Sequence, residues 1–302
     1  MLRHRSFGRL GWQVSEVGLG GAWLAGRGGN LTVEQGAEIV HAALALGVNY
    51  IDTARYYGRS EETLGVALDG VTQPYYLATK AGCVPHDFDY SADAVLRSFE
   101  TSLRLLRRNR VDLLQIHDAN SAGWDRVMRK GGALEALRRL KREGIVTAIG
   151  VTGRDPEVLA RFAATDEFDA VLNYCDYDVT TRLAREVLLP VAAEHRVAVV
   201  LGSPLRVGML ALPRGAALPG HAAPLHPKLE RLFDLAEREG MPLRHLALRY
   251  LLSDADVATV LTGAGSADEL RDALAAAAAG PLTSDVLAEI REIQETAPSQ
   301  VG

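Results

Sequence analysis

Apolar segments rich in β-branched residues recur along the chain as VSEVGLG, VNYID, YYLATK, VDLLQIH, IVTAIGV, DAVLNY, VAVVLG and VATVLTG, eight in all. Each is a near-continuous hydrophobic run, the pattern of a strand buried on both faces of a parallel sheet. The stretches between them have helical period. In one, Ala94, Leu96, Phe99, Leu103 and Leu106 share a face, with Arg and Glu on the other. Eight strand-helix units predict a (β/α)8 TIM barrel that takes up residues 1–302 as one domain. A doubly wound dinucleotide fold would need a glycine-rich turn from its first strand into a helix. The glycines of GLGGAWLAGRGG have neither the right spacing nor a helix directly after them, and read as a flexible loop.

Two additions to the barrel are expected at its start and late in the chain. Residues 2–15, turning at Gly8 to Gly11, read as a β-hairpin that closes the bottom of the barrel. Residues 206–227, rich in Pro, Gly and Ala, form a loop long enough to be a lid or binding segment. The segment SDVLAEIREIQET reads as one extra amphipathic helix at the C-terminal end, with its last residues fraying.

Composition narrows the partners. The 302 residues are 48% hydrophobic, enough for one large core, and the net charge of −5 is spread without a basic run. A small molecule is therefore expected as partner, rather than nucleic acid or a membrane surface. The N-terminal stretch has basic residues but no apolar stretch behind them, and LAAAAAG at 274–280 is far shorter than the roughly 20 residues of a spanning helix. The two cysteines, Cys83 and Cys175, have neither metal-ligand spacing nor the density of a disulfide framework. A cytoplasmic protein with no metal site is the expectation, with Cys83 a bystander near Lys80.

Four residues carry the chemistry: Asp52 and Tyr57 in YIDTARYYGRSEETLG, Lys80 in YYLATK, and His117 in VDLLQIHD. Each falls at or just beyond a strand end, so a parallel barrel would gather all four at its C-terminal mouth. Together they can move a proton onto or off a carbonyl or alcohol oxygen, which suits hydride-transfer chemistry. Taken singly, each has a plainer reading: a helix cap or turn for Asp52, a snorkelling surface charge for Lys80, a structural histidine for His117.

With DTARYYGRSEETLG, ATK, QIHD, GVTG, LNYCDY, GSPLRVGML and LTGAGSADEL in order, the chain resembles the aldo-keto reductases over nearly its whole length. Within that superfamily it is most similar to the L-galactose dehydrogenase and aldose 1-dehydrogenase (L-fucose dehydrogenase) group. The resemblance implies that Tyr57, immediately before Gly and so preferred to Tyr56, is the general acid or base. A free tyrosine titrates near 10; Lys80 would supply the cation that lowers this, Asp52 would hold Lys80, and His117 would hydrogen-bond the substrate oxygen.

It also implies a nicotinamide cofactor across the barrel mouth. Thr152 and Asn173 would meet its carboxamide, and Ser203, Leu205 and Gly208 its pyrophosphate, with Arg206 a further charge partner. Gly263, Gly265, Ser266 and Glu269 would border the adenosine end. Two departures stand out: Thr152-Gly153 replaces a common Ser-Asn pair, and Gly202 stands where many members place an aromatic residue on the nicotinamide. Gly265 replaces a cation that would grip a 2′-phosphate, and Asp268 and Glu269 follow, so NAD is favoured over NADP. Ser266, Asp268 and Glu269 also read as the cap of the last barrel helix. The expected reaction is oxidation of a cyclic aldose at C1 to its lactone, with Trp23, Asp118 and Trp124 as sugar contacts. The rivals are an NADPH-dependent carbonyl reductase, a pyridoxal dehydrogenase, and a cofactor-binding regulatory subunit.

Overall fold

Eight parallel strands close on themselves, and the residues that face their common interior build the floor of the site. The protein, a computed structural model, is described over residues 2–24, 31–84 and 87–295. Its strands are β1 (His4–Ser6), β2 (Gln13–Ser15), β3 (Val17–Gly20), β4 (Tyr50–Asp52), β5 (Tyr76–Ala81), β6 (Val111–Ile116), β7 (Val146–Gly153), β8 (Ala170–Tyr174), β9 (Ala198–Gly202) and β10 (Thr259–Thr262). The barrel runs from β3 to β10 in chain order, and β10 closes it by pairing with both β9 and β3. Parallel neighbours need long crossovers, and helices supply them throughout.

Side chains on a strand alternate between the lumen and the surrounding helices. Tyr50, Ala78 and Leu113 fall in the lumen cluster, whereas Ile51, Leu77 and Leu114 belong to the outer core. Two residues further along each strand, the inward positions are Asp52, Lys80 and Gln115, all buried. The register places Asp52 beside Ala78 and Lys80 beside Gln115. A polar layer thus lies directly on an apolar one.

The expected hairpin is β1 with β2, joined through a 3-10 turn at Gly8–Leu10. It plugs the lower end: the buried Phe7 ring stacks on Tyr50 at 5.4 Å and on Trp12 at 5.3 Å, and Trp12 stacks on Tyr76 at 4.6 Å. The VSEVGLG run is therefore split between hairpin and barrel. At the break, Glu16 is buried and ion-paired with Arg3 and Arg5.

The segment after β9 contains 3-10 turns at Met209–Ala211 and Gly220–Leu225 before a helix at His226–Arg238. Its start is tied down by Arg206, whose Nε lies 2.9 Å from the buried Asp178 carboxylate. The C-terminal extra helix, Ser284–Glu295, is anchored there too, since Gln294 donates to the Asp178 carbonyl at 2.8 Å. Two short helices after β6, Ala119–Ala122 and Trp124–Met128, were not foreshadowed by any apolar period. No described helix is long and apolar enough to cross a membrane. The expected fraying beyond residue 295 lies outside the described residues, as does the end of the GLGGAWLAGRGG stretch from residue 25 on, whose start belongs to β3 and a 3-10 turn at Gly21–Trp23 and not to a flexible loop.

Removing the plug tests the division between scaffold and site. Phe7→Ala should destabilise the fold by about 3–5 kcal/mol, read as a lower urea midpoint, while the kcat of the folded variant stays near that of the parent. A kcat that collapsed in folded protein would show that the lower end shapes the site.

Candidate active site

Asp52 ends β4 inside the lumen, where burial alone would favour its neutral form. Desolvation does raise its pKa, with Lys80 and the Gln115 amide pulling the other way. Gln115 Nε2 donates to Asp52 Oδ2 at 2.8 Å, and the other carboxylate oxygen is hydrogen-bonded and ion-paired to Lys80. Burial works against the Lys80 charge, yet Asp52 and Tyr57 outweigh it and hold its pKa above the ordinary lysine value. An isolated buried ammonium would be far more costly than one so paired.

The ammonium has three donors, and three acceptors meet it: Asp52, the Thr53 carbonyl at 2.8 Å, and the Tyr57 hydroxyl. Its nitrogen lies 4.8 Å from the Tyr57 ring centroid. An ammonium can only donate, so the Tyr57 oxygen accepts in this bond. The loop carrying Tyr57 is pinned at its root: the Thr53 and Ser60 hydroxyls are bonded at 2.7 Å, and Thr79 donates to the buried Glu61 at 2.6 Å. Burial raises the Glu61 pKa.

His117 follows β6 and meets Tyr57 edge to face, with ring centroids 5.5 Å apart. Burial, and secondarily the Lys80 charge, hold its pKa well below the usual imidazole range. It is a neutral ring whose Nδ1 has no partner among the described residues. Asp52, Tyr57 and His117 line a cleft of about 690 Å³, with Lys80 buried beneath. All four expected residues are brought together.

The expected cofactor side divides. Ser203, Leu205, Gly208, Gly263 and Glu269 line the cleft, while Thr152, Asn173, Gly265 and Ser266 lie outside its lining. Thr152 instead accepts the Asp118 backbone N–H at 3.0 Å. Asn173 is fully buried; its amide nitrogen donates to the Arg154 carbonyl at 2.6 Å, and its Oδ1 has no partner among the described residues. Such an orphaned buried acceptor is costly unless a ligand meets it, and a carboxamide N–H fits it. Gly153 has a structural reason: a Cβ there would come 1.8 Å from Asn120 Oδ1, which accepts the Arg154 N–H at 3.0 Å.

Arg206, Val207 and Gly208 all have positive φ, so the turn after β9 runs left-handed. Arg206 Nε donates to Asp178 Oδ2 at 2.9 Å, which fixes the start of this turn. At the last barrel helix, Ala267–Ala278, Ser266 caps the Glu269 N–H at 3.2 Å and Glu269 accepts from the Gly265 N–H at 2.8 Å. Arg271 stands in the second turn, 57% exposed and ion-paired with Asp268.

Of the expected sugar contacts, Trp23 and Asp118 line the cleft. Trp124 does not: it stacks on Phe162 at 5.0 Å beneath the Arg161 guanidinium, a packing role in the outer layer. Three aromatic residues at the cleft were missed: Tyr56, Phe88 and Tyr174. Tyr174 pairs across the strands with Gly202, whose missing side chain leaves it room, and its hydroxyl donates to Asp118 Oδ1 at 3.1 Å. An aromatic ring from the adjacent strand thus lines the cleft beside Gly202. Cys83 also lines the cleft, but burial pushes its thiol up to about 11, away from nucleophilic use.

Residues 16–295 match the Aldo/keto reductase family. The chain is 32% identical to L-galactose dehydrogenase of Arabidopsis thaliana, over 90% of this chain and 87% of that protein. It is 26% identical to pyridoxal 4-dehydrogenase of Microbacterium luteolum, over 88% and 90% of the two chains. Among solved structures, the holo form of an aldo-keto reductase from Bacillus halodurans superimposes with a TM-score of 0.83 and 28% identity, covering 100% of this chain and 99% of that one.

The buried neutral imidazole has a consequence for acid stability. The unfolded chain protonates His117 near 6.5, whereas the folded chain resists until well below that value. Unfolding therefore takes up a proton, and stability falls as pH drops below 6.5. Replacing the imidazole in His117→Gln should flatten this part of the pH dependence of the urea midpoint. An unchanged acid slope in the variant would refute the neutral-histidine assignment.

Proposed function

The chain is an oxidoreductase of the aldo/keto reductase family, and from that premise we propose that it oxidises a cyclic aldose at C1 to the lactone, with NAD as hydride acceptor. The observation that carries this reading is the saturated ammonium. Asp52, the Thr53 carbonyl and Tyr57 take all three Lys80 donors, so the phenol oxygen is held against a fixed positive charge in the cleft.

In the oxidising direction, Tyr57 would take the proton of the C1 hydroxyl. Lys80 favours the phenolate that receives it, by charge and by hydrogen bond, and Asp52 with Gln115 keeps Lys80 in place. Neutral His117 would donate to the same substrate oxygen through one ring nitrogen, fixing its position between phenol and imidazole. The nicotinamide, when bound, would supply the acceptor for the hydride leaving C1. Asn173 Oδ1 would hold its carboxamide, the Ser203 to Gly208 turn its pyrophosphate, and Glu269 with Gly263 would border the adenosine end. Trp23 and Asp118 would meet the sugar.

The lean toward NAD rests on Gly265 with Asp268 and Glu269, and the lean toward an aldose on the similarity to a galactose dehydrogenase. The second reading is NADPH-dependent carbonyl reduction, favoured by one observation: Arg271, half exposed, could leave Asp268 for a 2′-phosphate.

Purified protein with NAD or NADP and a panel of L-galactose, L-fucose, D-arabinose and pyridoxal should oxidise at least one aldose, faster with NAD. Oxidation of NADPH by simple aldehydes with no aldose turnover would replace this reading with the second. Tyr57→Phe should lower kcat by about 10²-fold or more while the fold and cofactor affinity persist. Full kcat in that variant would remove Tyr57 as acid-base.

A further inference from the structure

Asp118 directly follows His117 and precedes the helix Ala119–Ala122, so a helix cap is its default role. Its side chain makes no cap hydrogen bond. The backbone is instead forced into the left-handed region at φ 56, a conformation that costs an L-residue energy although Asp tolerates it better than most. Two contacts hold it there: its N–H donates to Thr152 Oγ1 at 3.0 Å, and its carbonyl accepts from the Tyr90 hydroxyl at 3.4 Å. The carboxylate lies in the lining of the cleft, steadied by the Tyr174 hydroxyl at 3.1 Å.

Among the described residues, no cation stands within 4.0 Å of this carboxylate, and no lysine or arginine lines the cleft. Asp52 is neutralised by Lys80, and His117 is neutral. Apart from Glu269, whose carboxylate accepts the Gly265 N–H, Asp118 is thus the carboxylate of the cleft lining that has no cationic partner among the described residues. Partly shielded from water, it acts on a substrate at a much lower effective dielectric than bulk.

We propose that Asp118, fixed by Thr152, Tyr90 and Tyr174, is the charge selector of this cleft, admitting neutral substrates and disfavouring those that carry an anionic group into it. The substrate hydroxyls of a neutral aldose donate to the carboxylate. A carboxylate or phosphate at the same place meets a like charge with no cation among the described residues of the lining to offset it. The aldose half deepens the function proposed above and rests on it; the charge half needs only a carbonyl-reducing cleft.

The test compares 4-nitrobenzaldehyde with 4-carboxybenzaldehyde, reduced with the reduced nicotinamide cofactor by the parent protein and by Asp118→Asn. The parent should prefer the neutral aldehyde in kcat/KM, and the variant should narrow that preference about tenfold or more, since each factor of ten corresponds to about 1.4 kcal/mol. Added KCl should narrow the parent's preference as well, because salt screens a partly exposed charge. This second measurement serves even if the variant folds poorly. Tyr174→Phe keeps the charge and should keep the preference. A ratio that neither the Asn substitution nor salt moves would overturn the proposal. If no aldose is oxidised but the ratio shifts as expected, the aldose function falls while the charge selector stands.

Discussion

A single buried ion pair organises this protein. Lys80 and Asp52 sit in the barrel lumen with almost no exposure, where each alone would be expelled or neutralised. Their pairing lets a positive charge stand beneath a phenol in a dry place. The rest of the site exists to keep that charge in one position: Gln115 takes the second Asp52 oxygen, Thr53 takes another Lys80 proton, and Ser60 and Glu61 pin the loop on either side. Breaking either partner would leave an unpaired charge in an apolar tube, so fold and chemistry share one vulnerability.

The barrel makes this affordable by stacking its lumen in layers. Phe7, Trp12 and Tyr76 seal the lower end, Tyr50 with Ala78 and Leu113 forms an apolar floor, and the charged layer rests on it. Water can reach the polar layer from one side only. The same strand period that puts Tyr50 inside puts Asp52 inside two residues later, so floor and charge come from one alternation.

That alternation explains what the sequence makes legible. Eight doubly buried strands, the hairpin and the final helix leave strong local patterns, and strand ends announce Asp52, Lys80 and His117 because each polar residue interrupts an apolar run. Tyr174 and Gln115 leave weaker traces, since a tyrosine ending a strand and a glutamine inside one look like scaffold until their neighbours are known. Trp124 misled for the converse reason: a tryptophan in a loop suggests a sugar platform, and only the Phe162 ring beneath it reveals packing. Left-handed turns at Asp118 and at Arg206 to Gly208 lack the glycine that usually marks them, apart from Gly208 itself. The Arg271 cation was hidden by sequence distance, being one helical turn beyond the residues that attract attention.

Gly263 ties the last strand to the first loop in a way that reaches beyond this one chain. A Cβ at 263 would lie 2.1 Å from the Trp23 indole, so the ring occupies the volume a side chain would need. Position 263 cannot gain a side chain while the tryptophan stays. A lineage that replaces Trp23 with a smaller residue opens a gap that a larger residue at 263 can fill, whereas the reverse order passes through a clash. Across descendants of this sequence the two sites should change as a pair, with the tryptophan lost first, and a library that varies the first loop while holding Gly263 fixed would sample only half of the shapes this wall of the cleft can take.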